Sequence, residues 1–391
     1  MRFLSLFVCC ALLLGACATL KVDTPLVECP ATLIDSSSDK AYTKIQALLD
    51  EIVTLGVPGI AMATYSKGQW WESAAGFASV EKKIPMGSCH LHYLQSISKT
   101  YMAVAVLQLY EKGQLDIDAS IGQYLPPAIL EDLPEYKGLT VKMLLNHTSG
   151  LPEYNDDPNY ISTLLQRWEY HFEPEEYIEV IQNKAMDFEP GSHFSYRNLN
   201  YVLLALMVDE LVGSHTDYIS QNIFQPLGLQ SSYYQSESGY LQYPELYNAY
   251  WDRHADGYIE NISQLQRKNV SEMVGDDGIV ATPRDAVLFL KGIFENQLLQ
   301  AETLQLMQEW ATYADGGIAY GLGLDYAKFV DQLAYGHSGG GIGAGCQLYY
   351  FPKQEVYCFI GINLGTVTES PIHQKIEPKL NELYQALLTM D

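Results

Sequence analysis

The chain has 391 residues, of which 48% are hydrophobic, and this is enough for one large domain or two lobes around a full core. Its 23 Lys and Arg residues stand against 47 Asp and Glu residues, which gives a formal net charge of −24 at pH 7. Such a charge argues against a nucleic-acid-binding protein and against a surface that binds anionic membranes.

The N-terminus predicts a processing signal and not a part of the fold. Arg2 precedes an apolar run at residues 3–14 that is too short to span a bilayer. The Leu-Gly-Ala-Cys sequence at residues 14–17 resembles a bacterial lipobox, which implies lipid on Cys17; an ordinary cleaved signal is the alternative. We therefore expect a lipoprotein signal peptide at residues 1–16, a tether at 17–40, and a periplasmic protein anchored by its lipid to the bacterial outer membrane.

Strand patterns at both ends of the chain bracket a helical middle. Apolar residues spaced three or four apart predict helices, and short apolar runs between turn residues predict strands. In chain order we predict a helix at 41–55, strands at 60–65 and 70–80, a buried helix from Ser96 to about 112, mainly helices to 283, strands at 321–330, 346–351 and 356–362, and a helix at 371–390. Strands joined by short turns form antiparallel sheets, so the prediction is an α/β (α+β) fold in which helices flank such a sheet.

Three Ser-x-x-Lys tetrads begin at Ser37, Ser79 and Ser96. A lysine three residues after a serine on a helix lies on the same face, and a desolvated lysine can take the serine proton. Ser37 lies in a polar loop, and Ser79 lies where a predicted strand enters a turn. Ser96 alone begins a buried helix, so we expect Ser96 and Lys99 to form a nucleophile and its activator. The alternative is a helix-capping serine followed by a surface lysine.

Tyr196-Arg197-Asn198 is the only Tyr-x-Asn in the chain. A tyrosine near two cations can ionise or share its proton, and an asparagine side chain can hydrogen-bond both a lysine and a substrate amide. The alternative is a loop tyrosine and an Asx turn before the helix predicted at 199–212.

A glycine-rich run at residues 335–341 contains His337, Ser338, Gly339 and Gly340. Glycines on a strand let its backbone approach a ligand closely and direct an N–H at a carbonyl oxygen. The alternative is a glycine-rich bulge at a hairpin.

These three motifs, in this order, resemble those of the serine β-lactamase and penicillin-binding-protein superfamily. The Tyr-x-Asn form is similar to the class C branch, with its related DD-carboxypeptidases and esterases. Further stretches resemble that branch at residues 144–152, 200–204 and 278–285, and the resemblance extends over about residues 45–388. It implies a β-lactamase/transpeptidase-like fold for one catalytic domain at 41–391, with a sheet lobe at 41–95 and 286–391 and a helical lobe at 96–285.

The resemblance also implies a serine hydrolase that works through an acyl-enzyme, with no cofactor and no metal. Ser96 would be the nucleophile, Lys99 its activator, and Tyr196 the base that later protonates the leaving group. Substrate would bind to Asn198, His337, Ser338, Gly339 and Gly340, with the backbone N–H groups of Ser96 and Gly340 as the oxyanion hole.

His337 departs from the class C pattern, which has lysine at this position. Histidine is only partly charged at neutral pH and holds a β-lactam carboxylate less well. In this respect the chain resembles DD-carboxypeptidases, D-aminopeptidases and esterases more than efficient β-lactamases. We therefore expect D-alanyl peptides or related amides and esters as substrates, with carboxylesterase or class C β-lactamase activity as alternatives. The expected partner is a substrate, either a small molecule or a peptidoglycan peptide, and no nucleic acid. We expect a monomer that contacts the membrane only through its N-terminal lipid.

Three other interpretations are open. Residues 336–340 fit Gly-x-Ser-x-Gly, the nucleophile elbow of α/β-hydrolases, with Ser338 as nucleophile; the glycines that follow disfavour the helix that an elbow needs. His90 and His92 could place two imidazoles on one strand face, but no third metal ligand has a recognisable spacing. A non-catalytic lipoprotein that binds wall peptides is the last interpretation, although the four side chains expected at the reaction centre, Ser96, Lys99, Tyr196 and Asn198, are all present.

Cysteine pairing is left open by the sequence. Under the lipobox interpretation, Cys9 and Cys10 would leave with the signal peptide and Cys17 would carry the lipid. The four that remain in an oxidising compartment are Cys29, Cys89, Cys346 and Cys358.

Overall fold

The computed structural model describes residues 26–29, 40–134, 136–167, 170–234 and 243–389. The expected signal peptide and Cys17 lie outside the described residues, as does most of the expected tether. None of the helices in the described ranges is long and apolar enough to cross a membrane.

A nine-stranded antiparallel sheet forms the centre of the molecule, in the order β3-β2-β1-β14-β13-β12-β11-β10-β9. Two small sheets, β4-β8-β5 and β6-β7, lie beside it. The strands are β1 Gly59–Ser66, β2 Gln69–Ser79, β3 Ile84–Pro85, β4 His92–Tyr93, β5 Ser232–Tyr234, β6 Tyr250–Trp251, β7 Glu260–Asn261, β8 Ile279–Ala281, β9 Ala311–Thr312, β10 Ile318–Tyr320, β11 Asp325–Phe329, β12 Gln332–Gly340, β13 Gly345–Phe351 and β14 Val356–Ile362.

Helices cover both faces of the large sheet. Every residue of β14 is buried, because α1 and α13 pack on one face and α11 packs on the other. The helices are α1 Lys40–Thr54, α2 Ser98–Glu111, α3 Pro127–Asp132, α4 Val141–Leu145, α5 Pro158–Gln166, α6 Pro174–Glu179, α7 Asn198–Val212, α8 His215–Ile219, α9 Gln225–Leu227, α10 Ser263–Glu272, α11 Pro283–Phe294, α12 Ala301–Met307 and α13 Pro371–Leu388.

The α2 helix is buried over residues 98–109 and packs against α7 in the largest core cluster. Its apolar residues face neighbours on every side, so its position is fixed by packing and not by one amphipathic stripe. The predicted α+β architecture, with an antiparallel sheet flanked by helices, is confirmed.

Two local predictions were inaccurate. Ser96 does not lie in the first turn of an α-helix; it lies in a 3₁₀ turn, Gln95–Ile97, that leads into α2. Of the strand predicted at 321–330, only β11 is extended; residues 321–324 form a bend between β10 and β11, where Gly323 adopts a positive φ of 84°.

Cysteine pairing is settled for the four described cysteines. Cys29 and Cys89 form a disulfide, whereas Cys346 and Cys358 are free and buried. The register of β13 and β14 pairs Cys346 with Gly361 and Cys358 with Tyr349, so the two thiols are not opposite each other.

Candidate active site

Lys99 connects the first two motifs of the expected site and also contacts residue 276, which was not predicted. Its side chain is completely buried, and its Nζ donates to Ser96 Oγ at 3.1 Å, to Asn198 Oδ1 at 2.8 Å and to the Asp276 carbonyl at 2.7 Å. Ser96 lies one turn earlier in the chain and Asn198 begins α7. The pairing predicted from one Ser-x-x-Lys tetrad is therefore present as a direct contact.

Burial lowers the pKa of Lys99, because the ammonium loses its hydration. The carboxyl groups of Asp276, Asp277, Glu153 and Asp325 oppose this effect without cancelling it. A lysine with a lowered pKa reaches its neutral form more easily, and only the neutral amine can accept a proton from Ser96.

Tyr196 lies over Lys99, with its ring centre 5.1 Å from Nζ. Burial raises the pKa of Tyr196 well above its ordinary value, and the nearby Ser96 hydroxyl opposes this effect without cancelling it. The resting side chain is therefore a neutral phenol. Tyr196 could exchange a proton with Ser96 or a leaving group, but the structure does not support the preformed phenolate considered from the sequence.

His147 was not predicted as a site residue, although it lies in the 144–152 stretch that carries part of the resemblance. Its buried ring packs against that of Tyr196, with ring centres 4.3 Å apart and planes inclined by 34°, and its Nδ1 accepts from the Arg197 backbone N–H and the Asn200 amide, each at 3.2 Å. Two donors on Nδ1 place the proton on Nε2. Burial lowers the pKa of His147 further, so a neutral ring holds Tyr196 in place.

His337 lies on β12 behind Tyr196 and is 3% exposed. Its Nε2 is 2.8 Å from the Tyr320 hydroxyl, and its Nδ1 donates to the Ser338 carbonyl. Burial lowers the pKa of His337; Asp325 opposes this effect and Lys99 adds to it. The ring is therefore neutral, whereas the sequence predicted only that it would be partly charged.

Gly339 brings β12 against the turn that holds Ser96. A Cβ atom at Gly339 would lie 2.4 Å from the Leu94 carbonyl oxygen, so only glycine permits this approach. Ser338 points the other way and is exposed.

The backbone of Gly340 is positioned to donate to a ligand. Gly341 N–H bonds to the Ala344 carbonyl at 3.0 Å, and successive N–H groups in an antiparallel pair point to opposite sides. Gly340 N–H therefore points away from β13, on the side where pairing with β11 has already ended at Gly336. Ser96 lies in the first turn of its helical segment, where a backbone N–H has no partner within the helix, and both Ser96 and Gly340 line the same cavity.

Ser96, Tyr196, Asn198 and Gly340 line one cavity of about 560 Å³. Lys99 lies beneath Ser96, His337 lies behind Tyr196, and Ser338 does not line the cavity. The remaining lining residues include apolar side chains, such as Leu164 and Met273, and polar ones, such as Asn155 and Asn269.

Three carboxyl groups at the site were not found from the sequence. Glu153 accepts from the Asn198 backbone N–H, and Asp276 accepts from the Tyr154 hydroxyl at 2.9 Å. Burial raises the pKa of Glu153 to about 7 and that of Asp277 to about 7. In the sequence, the Asp-Asp pair between glycines at residues 275–278 could have indicated carboxyl groups at a site. Its proximity to Lys99, however, depends on the tertiary fold.

The structure contradicts the nucleophile elbow. Ser338 lies within β12, and the next element is β13 and not a helix. A metal site at His90 and His92 is not supported either: the His92 ring packs edge-on against Tyr247 and Phe359. Within the described ranges, one group of three possible ligands is found, Cys29, Cys89 and His90, but its two sulfurs are joined in the disulfide.

A family model described as Beta-lactamase matches residues 45–373. The chain is 26% identical over 252 residues to Penicillin-binding protein 4* of Bacillus subtilis (strain 168), covering 62% of this chain and 53% of that protein. It is 27% identical over 216 residues to a putative D-alanyl-D-alanine carboxypeptidase of Escherichia coli (strain K12), covering 50% of this chain and 49% of that one. The chain thus spans about half the length of these two relatives.

The fold is similar to that of solved amidohydrolases. D-amino acid amidase from Ochrobactrum anthropi SV3, complexed with L-phenylalanine amide, matches with a TM-score of 0.77 and 24% identity over 88% of this chain and 98% of that one. A D-stereospecific amidohydrolase from Streptomyces matches with a TM-score of 0.72 and 22% identity over 86% of this chain and 98% of that one. The family match over most of the chain shows that this protein belongs to the Beta-lactamase family.

Proposed function

We propose that the protein hydrolyses D-alanyl peptides, or related D-amino acyl amides and esters, through an acyl-enzyme on Ser96. The observation that carries the proposal is the contact of 3.1 Å between Ser96 Oγ and the buried Lys99 Nζ, at a cavity that Tyr196, Asn198 and Gly340 also line. A nucleophile, a proton acceptor and oxyanion donors in one cavity are what acyl transfer requires.

In the first step, neutral Lys99 takes the Ser96 proton as Oγ attacks the substrate carbonyl carbon. The carbonyl oxygen becomes negative and is stabilised by the N–H groups of Ser96 and Gly340. The bond to the leaving amine or alkoxide then breaks, and that group receives a proton through Tyr196. Water attacks the resulting ester, releases the acid and returns the proton to Ser96.

Asn198 would orient both the substrate and the Lys99 side chain. Its Oδ1 accepts from Lys99, and its amide nitrogen is the group that remains for a substrate carbonyl. The side chain therefore couples the position of the proton acceptor to the position of the acyl group.

The neutral state of His337 bears on the choice of leaving group. The class C pattern has lysine at this position, and a neutral ring offers no fixed charge to a carboxylate. This supports amides and esters whose leaving group carries no carboxylate over β-lactams. A carboxylesterase is the second candidate, favoured by the apolar wall at Ile161, Leu164 and Met273.

We further propose that the protein is a periplasmic lipoprotein held at the outer membrane through Cys17. The support is the Leu-Gly-Ala-Cys sequence at residues 14–17. A Cys17→Ser variant expressed with labelled palmitate should lose the label that the wild type acquires; equal labelling of both would contradict the proposal.

The turnover of three substrates tests the activity: a D-Ala-D-Ala peptide, a short-chain chromogenic ester and a cephalosporin. We expect kcat/KM to be higher for the peptide or the ester than for the cephalosporin, and Ser96→Ala to abolish all three activities. A cephalosporin turned over fastest would instead indicate a class C β-lactamase. If a folded wild type turned over none of the three, the wall-peptide-binding interpretation would replace an enzymatic one.

A further inference from the structure

Gln95, the residue immediately before Ser96, has a backbone conformation that is unfavourable for its residue type. Its φ is 50°, which lies in the left-handed region, where a Cβ atom comes too close to the backbone. Glycine adopts this region without that cost. The side chain that makes the conformation costly is buried, since Gln95 is only 1% exposed.

The side-chain amide of Gln95 is a second unfavourable feature. Its Nε2 is buried and has no hydrogen-bond partner among the described residues. Buried amides are normally paired, because an unpaired donor loses its bond to water and gains none in return. A glycine at position 95 would remove both costs. Residues that break local rules in this way are concentrated at functional sites, which points to a role for this side chain.

The side chain of Gln95 fills the space between its own turn and the end of β12. A Cβ atom at Gly339 would lie 2.9 Å from Gln95 Cβ. A Cβ atom at Gly341 would lie 2.3 Å from Gln95 Oε1 and 2.7 Å from Gln95 Cδ. The two glycines therefore leave the room that Gln95 occupies, and Gln95 packs along the backbone on both sides of Gly340.

The two backbone N–H groups of the expected oxyanion hole belong to the segments that Gln95 separates. Ser96 follows Gln95 directly in the chain, and Gly340 lies between the two glycines that Gln95 contacts. Gln95, Ser96 and Gly340 all line the same cavity. The spacing of the two donors therefore depends on the size of the side chain at residue 95.

We propose that Gln95 is a positioning residue that sets the spacing between the N–H groups of Ser96 and Gly340. Its contribution is its volume, which keeps the Ser96 turn and the end of β12 at a fixed separation so that both donors reach one carbonyl oxygen. This inference rests on the proposed function and adds a residue that supports its chemistry. Negative charge develops on that oxygen only as the reaction proceeds, so a displaced donor should slow the reaction without weakening substrate binding.

Three variants of the full-length protein test the proposal with a short-chain chromogenic ester. Gln95→Gly suits the backbone and removes the side chain, and we expect kcat to fall at least about tenfold with KM within about threefold of the wild type. Gln95→Met keeps a side chain of similar length without the amide. It should restore kcat to within about threefold of the wild type and unfold at a higher temperature, because no unpaired donor remains. Lys67→Gly is the control, at an exposed residue with a φ of 49° that does not line the cavity, and it should keep the wild-type kcat.

The outcomes separate this inference from the proposed function. An unchanged kcat in Gln95→Gly, or a rise in KM alone, would overturn the positioning role. An equal loss of kcat in Gln95→Gly and Gln95→Met would also overturn it, because the amide and not the volume would then be what acts. If Gln95→Gly does not fold, Gln95→Ala takes its place with the same expected loss of kcat. If the wild type does not hydrolyse the ester, the proposed function fails, and the inference fails with it.

Discussion

The Ser96–Lys99 pair shows which parts of a site one sequence can reveal. Two residues three apart on one turn are neighbours in any helical conformation, so their contact could be predicted. The carbonyl of Asp276, which holds Lys99 from the other side, is 177 residues away, and no spacing rule connects them. His147 was missed for the same reason, because its contact with Tyr196 depends on how α4 and α7 pack.

Replacing Lys99 should affect acylation strongly. Lys99→Ala removes the proton acceptor, and we expect the acylation rate to fall by about 10²–10⁴-fold. A Lys353→Ala variant, at an exposed lysine, serves as the control. Stopped-flow acylation with a chromogenic ester measures the rate, and near-normal acylation in Lys99→Ala would refute the role of this residue.

The pH dependence of acylation follows from the lowered pKa of Lys99. The neutral amine is the active form, so the rate should rise with pH and level off once Lys99 has lost its proton. Because burial lowers this pKa, the plateau should begin below the pKa of an exposed lysine. A rate that falls with rising pH across this range would contradict a neutral Lys99.

At the scale of elements, the site depends on the strand β12 and on the turn Gln95–Ile97 that holds Ser96. The long strands were predictable, because their apolar runs and turns are clear. The strands β4 and β8, which pair beside the turn of Ser96, have two and three residues and are too short to show a period. The glycines of β12 indicate that its backbone approaches another group closely, but the sequence does not show that this group is the turn of Ser96.

Gly339→Ala tests this approach. The added methyl would overlap the Leu94 carbonyl, so β12 and the Ser96 turn must separate and the oxyanion donors must move. Misplacement by about 1 Å can cost about 10²-fold in rate, and we expect a loss of that order in acylation with the fold retained by circular dichroism. Gly138→Ala, where a Cβ meets no atom within 4 Å, should behave as the wild type. Unchanged acylation in Gly339→Ala would show that the contact is not needed.

At the scale of the whole molecule, one sheet with helices on both faces supports the site, and a disulfide joins residues 26–29 to the domain. The Cys29–Cys89 bond closes a loop with a sequence separation of 60. Sequence counting identified the four candidate cysteines but not their pairing, since pairing depends on where residue 29 lies in space.

The Cys29→Ser/Cys89→Ser double variant should be less stable. Loss of a cross-link over a loop of this size should lower the free energy of unfolding by about 2–4 kcal/mol, while acylation of Ser96 persists because neither cysteine lines the cavity. Thermal unfolding with and without reductant measures the effect. A reductant should lower the melting temperature of the wild type and not that of the variant; equal responses would argue against the bond.

The identity of the nucleophile is the most direct test of the proposed mechanism. The wild type, Ser96→Ala and Ser338→Ala would each be treated with a fluorescent fluorophosphonate, and the modified peptide identified by mass spectrometry. We predict that the adduct is on Ser96 in the wild type and in Ser338→Ala, and that it is absent from Ser96→Ala. An adduct on Ser338, or one that persists in Ser96→Ala, would contradict catalysis by the Ser96–Lys99 pair.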